Sequence, residues 1–257
     1  MSSIDHLFRE RIGFPNQERI TFKNLDEILE RTAFTIPFEN ICVMDQNFKD
    51  ISKENVVDKI LTRKEGGLCY ELNSILHYFL VENGFEVKLV PGVVFNQNTR
   101  DWSATGRTHV LNLVKHMGME YLVDSGFGGN IPLKPVPLNG ETVSSSNGEF
   151  RVREETTEHG NYILEMQLKH RHSNWVIGYA FDSKTPIGDK ELNEIQKIIV
   201  ESPASGFNKG YLVTRLTEKG SMVLSETSFT KRVEDKEVKE AIDRNRFKEL
   251  SKEHFGL

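Results

Sequence analysis

The sequence has few cysteines, no long hydrophobic run and no surplus of positive charge. Only Cys42 and Cys69 occur among 257 residues, and because a secreted protein of this size usually carries more, a cytoplasmic location is expected. No apolar run approaches the about 18 residues of a transmembrane helix, and the first residues lack the pattern of a secretory signal. The formal net charge is -5, opposite in sign to that of a typical nucleic-acid-binding domain. Neither a membrane nor a nucleic-acid partner is therefore expected.

Three regions of the chain differ in their hydrophobic patterns. Apolar residues recur at helical spacing in residues 1–84, alternate with polar residues in 85–188, and follow both patterns in 189–257. Short segments broken by turn signals predict an antiparallel sheet or barrel in the middle region. The order of these regions predicts an α+β protein with three domains.

Capping signals set the expected helix boundaries. Asn24 followed by Glu27 is a capping-box pattern for a helix that Pro37 ends. Ser52 can cap a second helix, and a third begins after a pair of glycines. The charged segment from Asp235 onward has apolar residues at helical spacing, which predicts a final helix.

The segment around the second cysteine is the most informative in the chain. Residues 65–73 are EGGLCYELN; the two glycines permit a tight backbone path, and the helical pattern that starts after them places Cys69 in the first turn of a buried helix. Free amides and the positive end of the dipole favour a thiolate there and could also stabilise an oxyanion. The alternative is a cysteine that packs in the core. Cys42, between two apolar residues, is interpreted as structural.

A cysteine nucleophile needs a base, and the base needs an orienting carboxylate. Strand patterns flank residues 115–118, which predict a four-residue turn with Val114 opposite Met119. In that register His109 lies directly opposite Asp124, with Cβ atoms about 4.5–5.5 Å apart. The alternatives are an ordinary surface or core histidine and a turn aspartate.

Five segments in this order resemble the arylamine N-acetyltransferase family. They are EGGLCYELN at 65–73, PFEN at 37–40, TH at 108–109, DSGFG at 124–128 and SPASGF at 202–207. The resemblance covers nearly the whole chain and is weakest in the last predicted helix.

The resemblance implies an N-terminal helical bundle, a central antiparallel β-barrel and a C-terminal α/β lid around a cysteine-proteinase-like core. It implies that Cys69, His109 and Asp124 form a catalytic triad that works by a ping-pong mechanism. Acetyl-CoA would acetylate the cysteine, and an arylamine or hydrazine would then take the acetyl group. No metal is implied. The enzyme is expected in the cytoplasm, in xenobiotic metabolism, as a monomer or weak homo-oligomer.

The resemblance also implies binding residues. Substrate-binding positions are Phe38, Phe95, Thr108, Phe127 and Phe207, where an aromatic pocket suits a flat acceptor. Positions near the coenzyme are Thr105, Gly126, Gly128 and Gly129, since glycines let a ligand approach backbone amides. The alternatives are core packing for the phenylalanines and a turn for the glycines.

One position departs from the family pattern. Glu65 stands where the family has an arginine, which supports the active-site loop by pairing with a carboxylate that matches Glu39. A glutamate there would face a like charge. We expect Arg63, Lys64 or Arg9 to compensate.

Three other functions compete with the acetyltransferase. A transglutaminase-like or papain-like thiol hydrolase also uses Cys, His and Asp in this order, and a macrolactam-forming amide synthase resembles the same family. A non-catalytic binding protein is the third, for which the glutamate at position 65 is the sole hint. Segments 37–40 and 202–207 favour the acetyltransferase. The sequence leaves open the physiological acceptor and the length of the acyl donor.

Overall fold

Helices dominate the first part of the chain. The structure, a computed structural model, describes residues 3–17 and 19–257. Its α-helices are α1 (Ile4–Ile12), α2 (Leu25–Thr35), α3 (Ile41–Met44), α4 (Lys53–Val57), α5 (Cys69–Glu82), α6 (Asp189–Glu201) and α7 (Arg244–Leu250). Two wider π-helical segments, Asp58–Thr62 and Ser251–Phe255, continue α4 and α7, and 3₁₀ turns occupy Phe22–Asn24 and Gly128–Asn130.

The helix caps follow the sequence in two cases and depart from it in one. Ser52 accepts a hydrogen bond from the Asn55 amide and caps α4, as predicted. The capping box at α2 is wrong, because the Asn24 side chain accepts from the amide and hydroxyl of Thr21, at 2.8 and 2.7 Å. These bonds stabilise the 3₁₀ turn before α2. The start of α5 at Cys69, directly after Leu68 as its N-cap, confirms the predicted helix.

Strands fill the middle of the chain and return near its end. They are β1 (Phe38–Glu39), β2 (Glu86–Asn96), β3 (Asp101–Trp102), β4 (His109–His116), β5 (Met119–Val123), β6 (Val136–Pro137), β7 (Val143–Ser145), β8 (Gly148–Thr157), β9 (Gly160–Leu168), β10 (Val176–Phe181), β11 (Leu212–Thr217), β12 (Gly220–Ser225), β13 (Ser228–Val233) and β14 (Lys236–Ala241).

A nearly closed antiparallel barrel occupies the centre of the molecule. Its strand order is β6-β5-β4-β2-β10-β9-β8-β7, and β3 pairs with β2 outside this path. Alternate residues point inward, and the interior is filled by large side chains that are fully buried, among them Phe150, Tyr179 and Phe181. This architecture confirms the α+β class with a helical part and a barrel.

A second sheet with the order β1-β11-β12-β13-β14 follows the barrel. The predicted helix from Asp235 is wrong at its start, because residues 236–241 form β14 and α7 begins after Asp243, its N-cap. Glu234 adopts a left-handed conformation (φ 54°) and turns the chain back. Both faces of β14 are exposed, and cross-strand ion pairs such as Arg232–Glu237 suit its charged pattern.

The hydrophobic core connects segments that the sequence assigned to different domains. Leu192, Ile195 and Ile199 of α6 pack with α1, α2 and α5 in one cluster, while Phe247 and Leu250 of α7 pack under the second sheet. The domain boundaries at 84 and 188 stay a prediction. In the described part of the chain, no helix combines the length and the apolar character needed to cross a membrane.

Candidate active site

Cys69 lies where the helical part meets the barrel. It is the first residue of α5, and the unpaired amides of a helix lie at this end. The exposed fraction of the residue is 7%. The sulfur lies 3.4 Å from the carbonyl oxygen of Thr108. A Cβ at Gly126 would come within 2.6 Å of the Asn73 amide nitrogen and 2.8 Å of the Cys69 Cα. The barrel loop therefore needs glycine at this position to approach the helix.

His109 and Asp124 meet in the buried interface beside this sulfur. His109 begins β4 and Asp124 follows β5; their exposures are 3% and 1%. The His109 Nε2 and the Asp124 Oδ2 are 2.8 Å apart. Because an ionised carboxylate can only accept, Nε2 carries the hydrogen.

The hairpin between them differs from the predicted register. His116 pairs with Met119, so the turn has two residues, Met117 and Gly118, with φ of 49° and 83°. These positive values are typical of a two-residue hairpin turn, which keeps residues 115 and 116 in the strand. His109 and Asp124 are therefore diagonal neighbours rather than directly opposite. A shift by two positions keeps both side chains on one face, which is why the contact still forms.

Asp124 is surrounded by hydrogen-bond donors. Its Oδ1 accepts from the Asn73 amide at 2.8 Å and from the Gly126 backbone at 2.7 Å. Its Oδ2 accepts from the Tyr179 hydroxyl at 2.8 Å as well as from His109. Burial alone would raise the pKa of Asp124, but the His109 charge and these donors lower it below its ordinary value. Asp124 is therefore a buried, fully hydrogen-bonded carboxylate anion.

The charge of Asp124 acts in turn on His109. Burial by itself lowers the pKa of His109, but the charge and hydrogen bond of Asp124, with a smaller contribution from the sulfur of Cys69, raise it to about 10. Cys69 and His109 line the same cavity, and Nδ1 is the imidazole nitrogen that Asp124 leaves available. The arrangement favours an imidazolium between a carboxylate and a sulfur.

Two residues of this network were not assigned from the sequence. Asn73 belongs to the EGGLCYELN segment, and its amide also donates to the Val110 carbonyl at 2.7 Å. Tyr179 lies in the aromatic strand β10, where burial and the Asp124 charge raise its pKa well above the ordinary value, so its hydroxyl keeps the proton it donates. A buried tyrosine signals that a partner exists but does not identify it.

A cavity of about 180 Å³ opens beside Cys69 and His109. Most of the predicted binding residues line it, namely Phe38, Thr105, Thr108, Gly126, Phe127 and Phe207. The ring of Phe38 contacts that of Phe207, with centroids 5.6 Å apart, and Phe127 lies 5.0 Å from the His109 ring. Phe95 is not among the lining residues, because its ring packs edge-on against Trp102.

The remaining glycines lie beside this cavity and a larger one. Gly128 adopts a left-handed conformation, and a Cβ there would be 3.7 Å from Phe38 and from Thr214. Gly129 lines a cavity of about 430 Å³ between the barrel and the second sheet. The lining of that cavity carries both signs of charge. Its basic residues are Lys169, His170, Arg171, Lys219 and Arg232, and its acidic residues are Glu218, Glu234 and Asp235. Within residues 3–17 and 19–257, no cluster of His, Cys, Asp or Glu could hold a metal ion.

Of the three residues expected to compensate for Glu65, Arg63 pairs with it. The two side chains are 2.5 Å apart near the surface. Arg9 instead contacts the carboxylate of Asp5 within its own helix, at 2.7 Å. The charges that shift the pKa of the buried Glu39 are those of Lys59, which lowers it, and Glu71, which raises it, and not that of Glu65.

A lysine that the sequence did not single out holds Glu39. The Lys59 ammonium lies 3.3 Å from the Glu39 carboxylate and 2.7 Å from that of Glu71. Burial disfavours the ammonium, but Glu71 and then Glu39 raise the pKa of Lys59 overall. Lys59 lies among the apolar residues of its segment, which was the available signal that it is buried.

Sequence comparison identifies the family of the chain. A protein-family model described as N-acetyltransferase matches residues 21–257. The uncharacterized acetyltransferase YvcN of Bacillus subtilis (strain 168) is 40% identical over 222 residues, which cover 86% of this chain and 85% of the relative. The chain belongs to the arylamine N-acetyltransferase family and is a transferase.

Solved structures of the same family share the fold of this chain. Arylamine N-acetyltransferase C from Bacillus anthracis is 41% identical with a TM-score of 0.94, over 100% of this chain and 99% of that one. The arylamine N-acetyltransferase NAT3 from Bacillus cereus is 40% identical with a TM-score of 0.95 and the same coverage, and is described as having a unique Cys-His-Glu catalytic triad. This chain has Asp124 after β5. The Mycobacterium marinum enzyme in complex with CoA, 23% identical with a TM-score of 0.84 over 98% and 92% of the two chains, shares the fold.

Proposed function

We propose that this enzyme moves an acetyl group from acetyl-CoA to an arylamine or arylhydrazine by a ping-pong mechanism, through a thioester on Cys69. The observation that carries the proposal is a cysteine at a helix N-terminus, within reach of a histidine that a buried aspartate orients, beside an aromatic cavity. His109 is the proposed acid and base, and Asp124 its orienting group.

In the first half-reaction the Cys69 sulfur attacks the carbonyl carbon of the acetyl thioester. His109 takes the thiol proton, and Asp124 stabilises the resulting imidazolium. The first amides of α5, which have no partner within a helix, are placed to stabilise the oxyanion. The carbon–sulfur bond of the donor breaks, and the departing thiolate takes the proton from His109. The acetyl group then remains on Cys69.

In the second half-reaction an amine nitrogen attacks the Cys69 thioester. His109 accepts the amine proton and returns it to the Cys69 sulfur as the bond to the acetyl group breaks. Phe38, Phe127 and Phe207 are half-buried around the cavity and suit a flat aromatic acceptor. A volume of about 180 Å³ favours a small acceptor over a long acyl chain.

The coenzyme is proposed to approach along Thr105, Gly126, Gly128 and Gly129. The first two line the cavity of Cys69, and Gly129 has no heavy atom within 4 Å of a built Cβ. The lining of the larger cavity is of mixed charge, and its basic residues, Lys219 among them, suit the phosphates of coenzyme A. The Mycobacterium marinum relative, which binds CoA, supports the same co-substrate. A cytoplasmic location, favoured by two free cysteines, and xenobiotic amines as acceptors complete the proposal.

Mass spectrometry tests the covalent step. After exposure to acetyl-CoA without an acceptor, the intact protein should gain one acetyl group, located on the peptide that contains Cys69. Cys42 serves as the internal control, because burial raises the pKa of its thiol to about 11. Acetylation of Cys42, or none in a preparation that releases coenzyme A, would contradict the mechanism.

A second assay separates the acetyltransferase from its alternatives. Coenzyme A release is measured over a panel of arylamines and arylhydrazines. Release that depends on the amine, with one acetylated amine formed per coenzyme A, is expected. Hydrolysis that ignores the amine would indicate the thiol hydrolase, and activity restricted to long tethered acyl chains would indicate an amide synthase.

A further inference from the structure

Three charged side chains outside the proposed triad are buried together on the other side of the α5 N-terminus. Glu39, Lys59 and Glu71 have exposures of 2%, 6% and 8%. They come from β1, from the segment after α4 and from α5. Burying charges is unfavourable unless they are paired and hydrogen-bonded. Two carboxylates and one ammonium satisfy this requirement only while the ammonium is present.

Glu71 fixes the start of the cysteine helix. Its Oε2 accepts a hydrogen bond from the Leu68 amide at 2.9 Å, and Leu68 is the N-cap residue before Cys69. A Cβ on Gly67 would lie 2.8 Å from the same oxygen, so the backbone passes directly against this carboxylate. The position of Glu71 therefore determines how the chain reaches Cys69.

Glu39 fixes the strand that carries an aromatic wall of the cavity. Its Oε2 accepts from the Ile41 amide at 2.6 Å, and its own amide donates to the Gly67 carbonyl at 3.0 Å. Phe38, the preceding residue, lines the cavity beside Cys69. β1 and the glycine loop are thus attached to each other by a backbone bond, and the carboxylates of Glu39 and Glu71 share the Lys59 ammonium.

We propose that Lys59 is a positioning residue for the active site: its ammonium holds Glu39 and Glu71 together and so fixes Cys69 relative to Phe38. It also offsets one of two negative charges that would otherwise disfavour a thiolate nearby. The inference rests on the proposed function for its catalytic meaning. Its structural basis is the pair of contacts at 3.3 and 2.7 Å.

The charged form of Glu39 is stabilised by Lys59 and disfavoured by its other surroundings. Burial is the main cause that raises the pKa of Glu39, and Glu71 adds to it, while Lys59 opposes both. Loss of the ammonium therefore leaves two carboxylates that cannot both stay charged and in place. The other titratable groups around Cys69 are His109 with its partner Asp124, Tyr179 and Tyr70. The Cys42 thiol interacts with Lys59 on the side of the cluster.

The test is the alkylation of Cys69 by iodoacetamide, measured from pH 5 to 9 in Lys59→Met, Lys59→Arg and Lys49→Met. Lys49 is the matched control, since it pairs with Asp58 on the surface with its side chain 60% exposed. We expect Lys59→Met to slow alkylation at pH 7 at least about threefold and to move the half-maximal rate to higher pH. Lys59→Arg should restore the rate to within about twofold, and Lys49→Met should match the wild type.

Thermal unfolding accompanies each profile. If Lys59→Met does not fold, the double variant Lys59→Met with Glu39→Gln removes one uncompensated carboxylate and keeps the Glu71 cap. Its alkylation should remain slower than that of the wild type, because Glu71 caps the helix without the ion pair to Lys59. Its KM for the amine should rise, because the strand of Phe38 has lost its own ion pair to Lys59. A folded variant whose alkylation profile superimposes on that of the wild type would overturn the proposal.

Alkylation does not require acetyl transfer, so the two proposals fail separately. A wild-type protein that acetyl-CoA cannot acetylate contradicts the proposed function, whatever Lys59 does. A wild-type protein that is acetylated, together with an unchanged profile in the folded Lys59 variants, contradicts the role of Lys59 alone.

Discussion

Two buried ionic clusters lie on either side of the α5 N-terminus, and they differ in what they present to the cavity. His109 lines the cavity and Asp124 bonds to it from behind, so that one imidazole nitrogen remains for the Cys69 sulfur. Lys59 joins two carboxylates that bond to backbone amides on their far sides. In the proposed mechanism the two clusters have different tasks. One has a group that can move a proton, and the other holds the backbone that carries Cys69, the proposed nucleophile.

The largest loss of activity is expected from Asp124→Asn. The amide keeps the shape but cannot stabilise the imidazolium, and it offers a donor where four donors already converge. We expect acetyl transfer to fall about a hundredfold or more, by analogy with other triads. Steady-state kcat/KM measures the loss, and Asp101→Asn, on the exposed strand β3, is the control. Near-wild-type turnover in a folded variant would make Asp124 a turn residue only.

The same pair should give stability a particular dependence on pH. The folded-state pKa of His109 is raised to about 10, above the about 6.5 of an unfolded histidine. Its contribution is therefore complete below about pH 6.5 and is lost as the pH rises to about 10, by a few kcal/mol. Urea unfolding at intervals from pH 6 to 10 measures it.

Asp124→Asn provides the control for this pH dependence. Without the carboxylate the decline across the alkaline window should largely disappear. An equal decline in both proteins would assign the effect to other groups and would remove the strongest physical argument for a charged His109.

Tyr179→Phe is expected to have a smaller effect. It removes one of the donors to Asp124 but preserves the buried ring, which packs 4.5 Å from the His109 ring. A hydrogen bond to a charged group contributes about 1.5–3 kcal/mol, so we expect kcat/KM to fall about tenfold. Tyr162→Phe, at a half-buried tyrosine of the same barrel, is the matched control. An effect equal to that of Asp124→Asn would mean that Tyr179 acts directly in the reaction.

The sequence predicted the reactive cluster better than the supporting one for a physical reason. The local pattern of two glycines followed by a helix start indicates Cys69, and His109 and Asp124 belong to one hairpin. Even a register wrong by two positions kept them on one face, because strand side chains alternate with period two. Lys59 is paired with residues from two other elements, and no local pattern specifies such a contact.

The fold follows the same division between local and distant signals. Long periodic segments such as α5 and α6 were predicted, since their apolar spacing is strong. The strand β14 was predicted as helix because its charges obscure the alternation, and only its partner β13 makes a strand favourable there. That α6 packs with the first helices follows from tertiary contacts that lie beyond any window of sequence.

The smallest expected effect concerns a charge that is not buried. Lys219 is exposed and lines the cavity of about 430 Å³, so its attraction to a coenzyme phosphate is weakened by solvent and salt. We expect Lys219→Ala to raise the KM for acetyl-CoA about threefold at low salt, with the KM for the amine unchanged. Lys239→Ala, on the exposed strand β14, is the matched control.

The effect of Lys219→Ala on the KM for acetyl-CoA should shrink in 0.5 M salt, since the Debye length falls to about 4 Å there. An unchanged KM at low salt would direct the search for the phosphates away from this cavity. Lys59 and Lys219 carry the same charge in two surroundings. Substitution of Lys59 should have the larger effect on the active site, because its buried ammonium is held between two carboxylates, whereas water already solvates that of Lys219.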